Sequence, residues 1–116
     1  MLSYKENGLY SEIKKVTPKT LAIVGAFNLY CELFLNKSPV VTCVLRPFDT
    51  NNKNSLHPYY RAVDVRAKDW CQDDIDAISS FVNNIFPGKK PACYPHQPDP
   101  NNRNTLHFHL QDVRQK

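Results

Sequence analysis

Residues 49–57 read Asp-Thr-Asn-Asn-Lys-Asn-Ser-Leu-His, and residues 99–107 read Asp-Pro-Asn-Asn-Arg-Asn-Thr-Leu-His. The same local phrase is written twice, each copy ends on a histidine, and another metal-type side chain follows each: Asp64 after the first, His109 after the second. His57, Asp64, His107 and His109 thus issue from two distant Asn-rich segments, the pattern of a metal site assembled from separate parts of a chain. Imidazole and carboxylate both suit zinc, and catalytic zinc takes three protein ligands while keeping a position open for water. Water at such a centre ionises near pH ~7, which makes hydrolysis possible where bulk water would fail. A His-x-His pair on a strand sends both rings to one face, so one can bind metal while its neighbour meets the substrate. The helical H-E-x-x-H arrangement is absent. Cys31, Cys43, Cys71 and Cys93 show no C-x-x-C spacing, which excludes a structural zinc finger; they read as buried thiols.

These side chains need elements to position them. Thr17-Pro18 marks a helix start, with threonine as the cap and proline at the first helical position. Ile23, Phe27, Tyr30 and Phe34 follow at helical spacing, widened by Ala26 and Leu33, and predict a core helix to about Leu35. Residues 40–46 are short and β-branched, and 59–66 are aromatic and β-branched: both predict strands. Asp64 then shares a face with Tyr60 and Ala62, whereas His57 has the opposite parity, so the two can converge only if the chain bends, and Pro58 provides for it. Asp73, with Asp74 and Asp76, opens a second helix whose stripe is Ile75, Ile78, Val82 and Ile85, with Phe81 and Phe86 beside it; Pro87-Gly88 stops it. Residues 87–104 read as a proline-rich loop. Residues 105–113 form a last strand with His107, His109 and Gln111 on one face. The expectation is an α+β fold, a small mainly antiparallel sheet covered by helices, with the zinc site at the sheet face.

At 116 residues the chain is long enough for one domain, residues 1–116, with a real core. Its 41% hydrophobic and 22% charged content are those of a globular protein. The net charge of +4 is spread out, with no dense basic footprint of the kind a nucleic-acid binder carries. Residues 21–35 are apolar apart from Asn28 and Glu32, but fall short of the ~20 residues needed to cross a bilayer. They also follow a largely polar start, unlike a signal peptide. The segment reads as a buried helix.

Three stretches together carry a resemblance: Val41-Thr42-Cys43-Val44-Leu45-Arg46, then Ser55-Leu56-His57-Pro58-Tyr59-Tyr60-Arg61-Ala62-Val63-Asp64, then His107-Phe108-His109. In order and spacing they resemble the zinc superfamily of lysostaphin-type peptidases, D-Ala-D-Ala carboxypeptidases and hedgehog proteins, whose pattern is a strand ending in Arg, S-x-H-x-x-G-x-A-x-D, and a late H-x-H. The resemblance spans residues 41–109 and implies that His57, Asp64 and His109 bind Zn²⁺. His107 would act beside the metal in proton transfer or oxyanion stabilisation, and Arg46 and Ser55 would hold or polarise the substrate. The implied reaction is hydrolysis of a peptide bond in the stem or cross-link peptides of bacterial peptidoglycan; separately, a monomer is expected. Synthesis in the cytoplasm and action at the cell wall, as in a phage lysis enzyme, would fit that family. Two positions depart from the pattern. Tyr60 stands where the family has glycine, and the acidic residue many members place three before a histidine of the last motif is here Asn104 or Leu106.

Other readings stay open at this level. The repeat equates His57 with His107, which makes His107 an alternative third ligand. Asp64 could instead pair with Arg61 or Arg66, and Arg46 could bind a carboxylate at the sheet edge. The asparagines are turn formers, His96 reads as a solvent-exposed loop residue, and Trp70, Tyr59 and Tyr60 read as core packing. A zinc-binding module without catalysis is the main competing function, and a metal-dependent nuclease a third.

Overall fold

A computed structural model describes residues 2–44 and 56–113. Among the described residues five strands form one sheet: β1 (Ser3–Tyr4), β2 (Val40–Cys43), β3 (Ala62–Arg66), β4 (Cys93–His96) and β5 (His107–Gln111), in the spatial order β1-β2-β3-β5-β4. Only the β1–β2 pair is parallel; the others are antiparallel. Three helices, α1 (Asn7–Ile13), α2 (Pro18–Tyr30) and α3 (Gln72–Ile85), complete the α+β fold expected from the sequence. No helix among the described residues is long and apolar enough to cross a membrane.

α2 begins as its sequence dictates. Thr17 is extended, and its hydroxyl accepts the Thr20 N–H at 3.4 Å, with Pro18 in the first turn, where its missing N–H costs nothing. The helix runs on through a π-helical turn at Cys31–Leu35 and stops at Asn36, in the left-handed conformation at φ 52°. The expected stripe holds at Ile23, Phe27 and Tyr30 and fails at its end. Thr20, Ile23, Val24, Phe27 and Cys31 are buried, while Leu33 and Phe34 are 65% and 68% exposed. Residues 21–35 are apolar nearly all round, so periodicity alone does not fix every inner position; Cys31 continues the buried face at helical spacing from Val24 and Phe27.

Phe27, Trp70 and Phe108 form the aromatic centre of the core, with ring centroids 4.8–5.8 Å apart. Phe108 pairs with Val65, and Leu110 with Val63, so these four point to the helical side. The alternate residues, Asp64 and Arg66 on β3 with His107, His109 and Gln111 on β5, occupy the opposite face. Trp70 packs in the core as expected and Tyr60 lies against it, but Tyr59 is 53% exposed. Ile85, assigned to the buried stripe of α3, is 49% exposed at the end of the helix.

Three elements were not anticipated: β1, α1 and β4. β4 lies within the proline-rich stretch read as loop. Pro95 is tolerated because β4 is an edge strand, where one side needs no ladder bond. Asn83 on α3 fastens it, its side chain accepting the Cys93 N–H and donating to the Cys93 carbonyl, both at 2.9 Å.

Candidate metal centre

Asp64 is the hub. Its register partner across the sheet is His109, and beyond that Tyr94 on β4; His107 lies two residues back along β5, opposite Arg66. His57 reaches the same carboxylate by the expected bend. Residues His57–Tyr59 make one 3₁₀ turn, closed by Tyr60 at φ 56° and ψ 34° with its N–H donating to the His57 carbonyl at 3.1 Å. Left-handed backbone costs a side-chain-bearing residue about 1–2 kcal/mol. Packing of the Tyr60 ring on the core, and a 3.0 Å hydrogen bond from the Thr17 N–H to the Tyr60 carbonyl, help offset it. The departure from glycine at this position is therefore one of residue type, since the backbone adopts a conformation glycine would favour.

Around the carboxylate the distances are short. His57 Nε2 lies 3.2 Å and His109 Nδ1 3.1 Å from Asp64 Oδ1, and His107 Nε2 lies 3.8 Å from Oδ2. His57 and Asp64 are 1% and 3% exposed, so charge here is poorly screened.

Each ring is oriented by an acceptor on its far side. His57 Nδ1 is 2.8 Å from the Val44 carbonyl, and His107 Nδ1 is 2.9 Å from the Thr105 carbonyl. Carbonyls only accept, so both Nδ1 atoms carry the proton. The Gln111 amide donates to the Pro91 carbonyl at 2.9 Å, which turns its oxygen to His109 Nε2 at 3.1 Å and makes that nitrogen the donor. In their neutral forms all three imidazoles consequently aim lone pairs at the Asp64 carboxylate. Such an arrangement is repulsive until protons or a cation occupy it, and acceptors behind metal-binding histidines set the tautomer in this way. With protons there, the electrostatics follow. Burial pulls the His57 pKa down, but hydrogen bonds with Asp64 and Cys43, the Asp64 charge and the Val44 carbonyl outweigh it and hold it at about 9. Burial raises the Asp64 pKa, but hydrogen bonds from His109 and His57 and the charges of His57 and His107 carry it well below the usual carboxylate range.

Cys43 joins from β2. A bulge between Val41 and Cys43 shifts the β2–β3 register, pairing Val41 with Val65 but Cys43 with Asp64. Without that shift Cys43 would share the buried face of Val41; bulges re-aim side chains in this manner. Cys43, His57 and Asp64 form a group whose ligand atoms all lie within 4.8 Å of one another, close enough to hold a metal ion. Sequence reasoning missed Cys43, having read the cysteines as buried thiols. Cys31 and Cys93 are buried, whereas Cys43 is half-buried and Cys71 exposed. The alternation of strand 40–43 carried no signal for it, because the bulge breaks that alternation.

Of the residues singled out from sequence, His57, Asp64, His107 and His109 come together, with His57 and His109 on one carboxylate oxygen and His107 on the other. Arg46 and Ser55, as well as residues 49–54 of the first Asn-rich copy, lie outside the described residues. The second copy acts as a turn former: Asp99 accepts the Asn101 N–H and Asn102 the Asn104 N–H, both at 3.0 Å. Arg103 donates to the Lys68 and Trp70 carbonyls, tying this loop to the end of β3. The alternative Asp64 pairings are not formed with Arg61, whose Nε lies 3.9 Å from Asp112. His96 is exposed as expected, although on β4, with its ring 5.3 Å from that of His107. Beside the centre opens a polar cleft of about 420 Å³ reaching Cys43, Asp64 and His107. Set against family models, curated proteins and solved structures, the chain matches none.

Proposed function

We propose that the chain is a zinc peptidase that hydrolyses peptide bonds of bacterial peptidoglycan, with His57, Asp64 and His109 holding Zn²⁺. The supporting observation is the convergence of three tautomer-set imidazoles on one buried carboxylate. Two of them share Asp64 Oδ1, at 3.2 and 3.1 Å. Nitrogen and oxygen donors of this kind, contributed by two strands and a turn, suit zinc; Cys43 at their edge suits it too. When bound, zinc supplies a Lewis acid that activates water and polarises a carbonyl.

The chain's own residues do the rest. The Val44 carbonyl and Gln111 hold His57 and His109 in their ligating tautomers. His107 stands further from the carboxylate, with Nδ1 fixed on Thr105 and Nε2 facing the centre. There it can take a proton from attacking water and return it to the leaving amine. The cell-wall substrate and the setting of a phage-type lysis enzyme rest on the resemblance. One observation favours a metal-binding module without catalysis: Asn104 and Leu106 offer no carboxylate at the base position, and Leu106 is buried.

Zinc content and release of peptides from purified peptidoglycan separate these readings. The wild type is expected to hold zinc and release peptides. Asp64→Ala should lose both, and His107→Gln should keep zinc and lose rate by about 10²-fold or more. Zinc binding with no peptide release establishes the non-catalytic module, and no zinc binding refutes both.

A further inference from the structure

The outer side of α2 is apolar where a surface helix ordinarily carries its polar residues. No acidic or basic side chain occurs between Lys19 and Glu32, and Leu21, Leu29 and Leu33 are each more than half exposed. The three leucines leave about 300 Å² of apolar surface in one strip, a size at which patches on single chains mark interaction sites. Pro18, Ala22, Gly25 and Leu29, all exposed, follow at the four-three-four intervals of a helix–helix seam, and Leu33 extends the line by a turn. Gly25 sits in the middle of the strip. Glycine weakens a helix interior relative to alanine, yet a Cβ here would meet nothing outside the helix within 4 Å. The protomer's own packing therefore does not call for glycine, whereas close approach by another backbone does.

Laid antiparallel on a second copy, the strip matches itself. With Gly25 crossing Ala26 of the second copy, Ala22 meets Leu29, Pro18 meets Leu33 and Lys19 meets Glu32, each pair occurring twice about the two-fold axis. Small residues then face large ones, and opposite charges face each other at both ends. A parallel pairing would instead set Lys19 beside Lys19 and Glu32 beside Glu32. Both charged side chains have contacts within their own protomer, Lys19 with Asp112 at 3.9 Å and Glu32 with the Asn28 amide at 3.5 Å, and both still face water. Pairing removes about 600 Å² from water through the leucines of the two copies, close to the apolar share of a small stable interface of about 1,200 Å².

We infer that the outer side of α2 is the contact between two copies of this chain, packed antiparallel about Gly25. A dimer departs from the monomer expected from the sequence. The candidate centre lies on the sheet face opposite the helices, so pairing leaves both clefts open and gives each particle two centres.

Sedimentation equilibrium of the full chain, from micromolar to millimolar concentration, tests this. The wild type is expected to pass from monomer to dimer as concentration rises. Gly25→Glu, which places like charges at the two-fold axis and suits the helix better than glycine, should weaken association about tenfold or more. Lys19→Glu and Glu32→Lys should each weaken self-association, with circular dichroism as the check on folding. An equimolar mixture of these two variants should restore it, because every end contact then regains opposite charges. With a starting net charge of +4, both variants stay positive overall, so general attraction between chains does not mimic this result. A chain that stays monomeric throughout overturns the inference. So does a dimer indifferent to Gly25→Glu, whose interface then lies elsewhere, and so does a mixture that associates no better than its two components, which contradicts the antiparallel register.

Discussion

Replacing Gln111 by leucine removes the acceptor behind His109 while keeping similar bulk. Gln111 is 9% exposed, and its amide bridges the Pro91 carbonyl at 2.9 Å and His109 Nε2 at 3.1 Å. Leucine cannot accept a hydrogen bond, so the neutral ring gains by moving its proton to Nδ1, where it donates to Asp64. The lone pair that aimed at the centre is then spent on a hydrogen bond the metal must displace. Loss of such an orienting partner weakens metal binding ~10–100-fold, or about 1.4–2.8 kcal/mol. Gln111→Glu keeps the acceptor for His109 while losing the donor to the Pro91 carbonyl, and should retain most of the zinc affinity that leucine loses. Competition against a zinc chelator of known affinity measures the change, with circular dichroism as the check on folding. Unchanged affinity in Gln111→Leu would sink the argument that His109 is held as a ligand through Nδ1. If the same protein then loses affinity on Cys43→Ser, the third ligand is the thiolate of the Cys43–His57–Asp64 group.

Two further predictions concern protons. In the metal-free protein the raised His57 pKa, about 9, contributes stability that is complete below its unfolded value of ~6.5 and is lost as pH climbs through 9. The depressed Asp64 pKa contributes stability present above ~3.8 and lost as pH falls. Urea unfolding across pH should therefore show both slopes, and Asp64→Asn should flatten them; an unaltered profile in that variant would show that the cluster does not titrate as a unit. Burial pushes the Cys31 and Cys93 thiols up to about 12, with the hydrogen bond between Cys93 and Ser79 partly opposing it at Cys93. Labelling with a thiol reagent at pH 8 should modify exposed Cys71 rapidly, and Cys31 and Cys93 only at the rate of unfolding; fast labelling of all four would contradict the packing described.

Much of the architecture was legible because it is locally encoded. Thr17-Pro18 caps α2 through its own hydroxyl and ring, the acidic first turn of α3 follows its sequence, and the parity of His107, His109 and Gln111 holds on β5. Elements that depend on partners were not. β4 exists because Asn83 and β5 supply its bonds despite Pro95, and β1 is two residues paired to β2. The inner face of α2 was read correctly at Ile23 and Phe27 but wrongly extended to Leu33 and Phe34, because a segment apolar on nearly every side has little periodic signal to read.

The same division runs through the candidate centre. Residue type and spacing alone singled out His57, Asp64, His107 and His109 as neighbours, since strand alternation and a bend at Pro58 are properties of adjacent residues; of these, His57 and Asp64 belong to the group able to hold a metal ion. Which imidazole stands closest to Asp64, which nitrogen of each ring faces inward, and that Cys43 is present at all were decided by tertiary structure. Those outcomes depend on a left-handed Tyr60, a register shift in β2, and acceptors from Val44, Thr105 and Gln111. Hydrogen-bond direction and strand register are set by groups distant in the chain, and a linear sequence does not state which of them will meet.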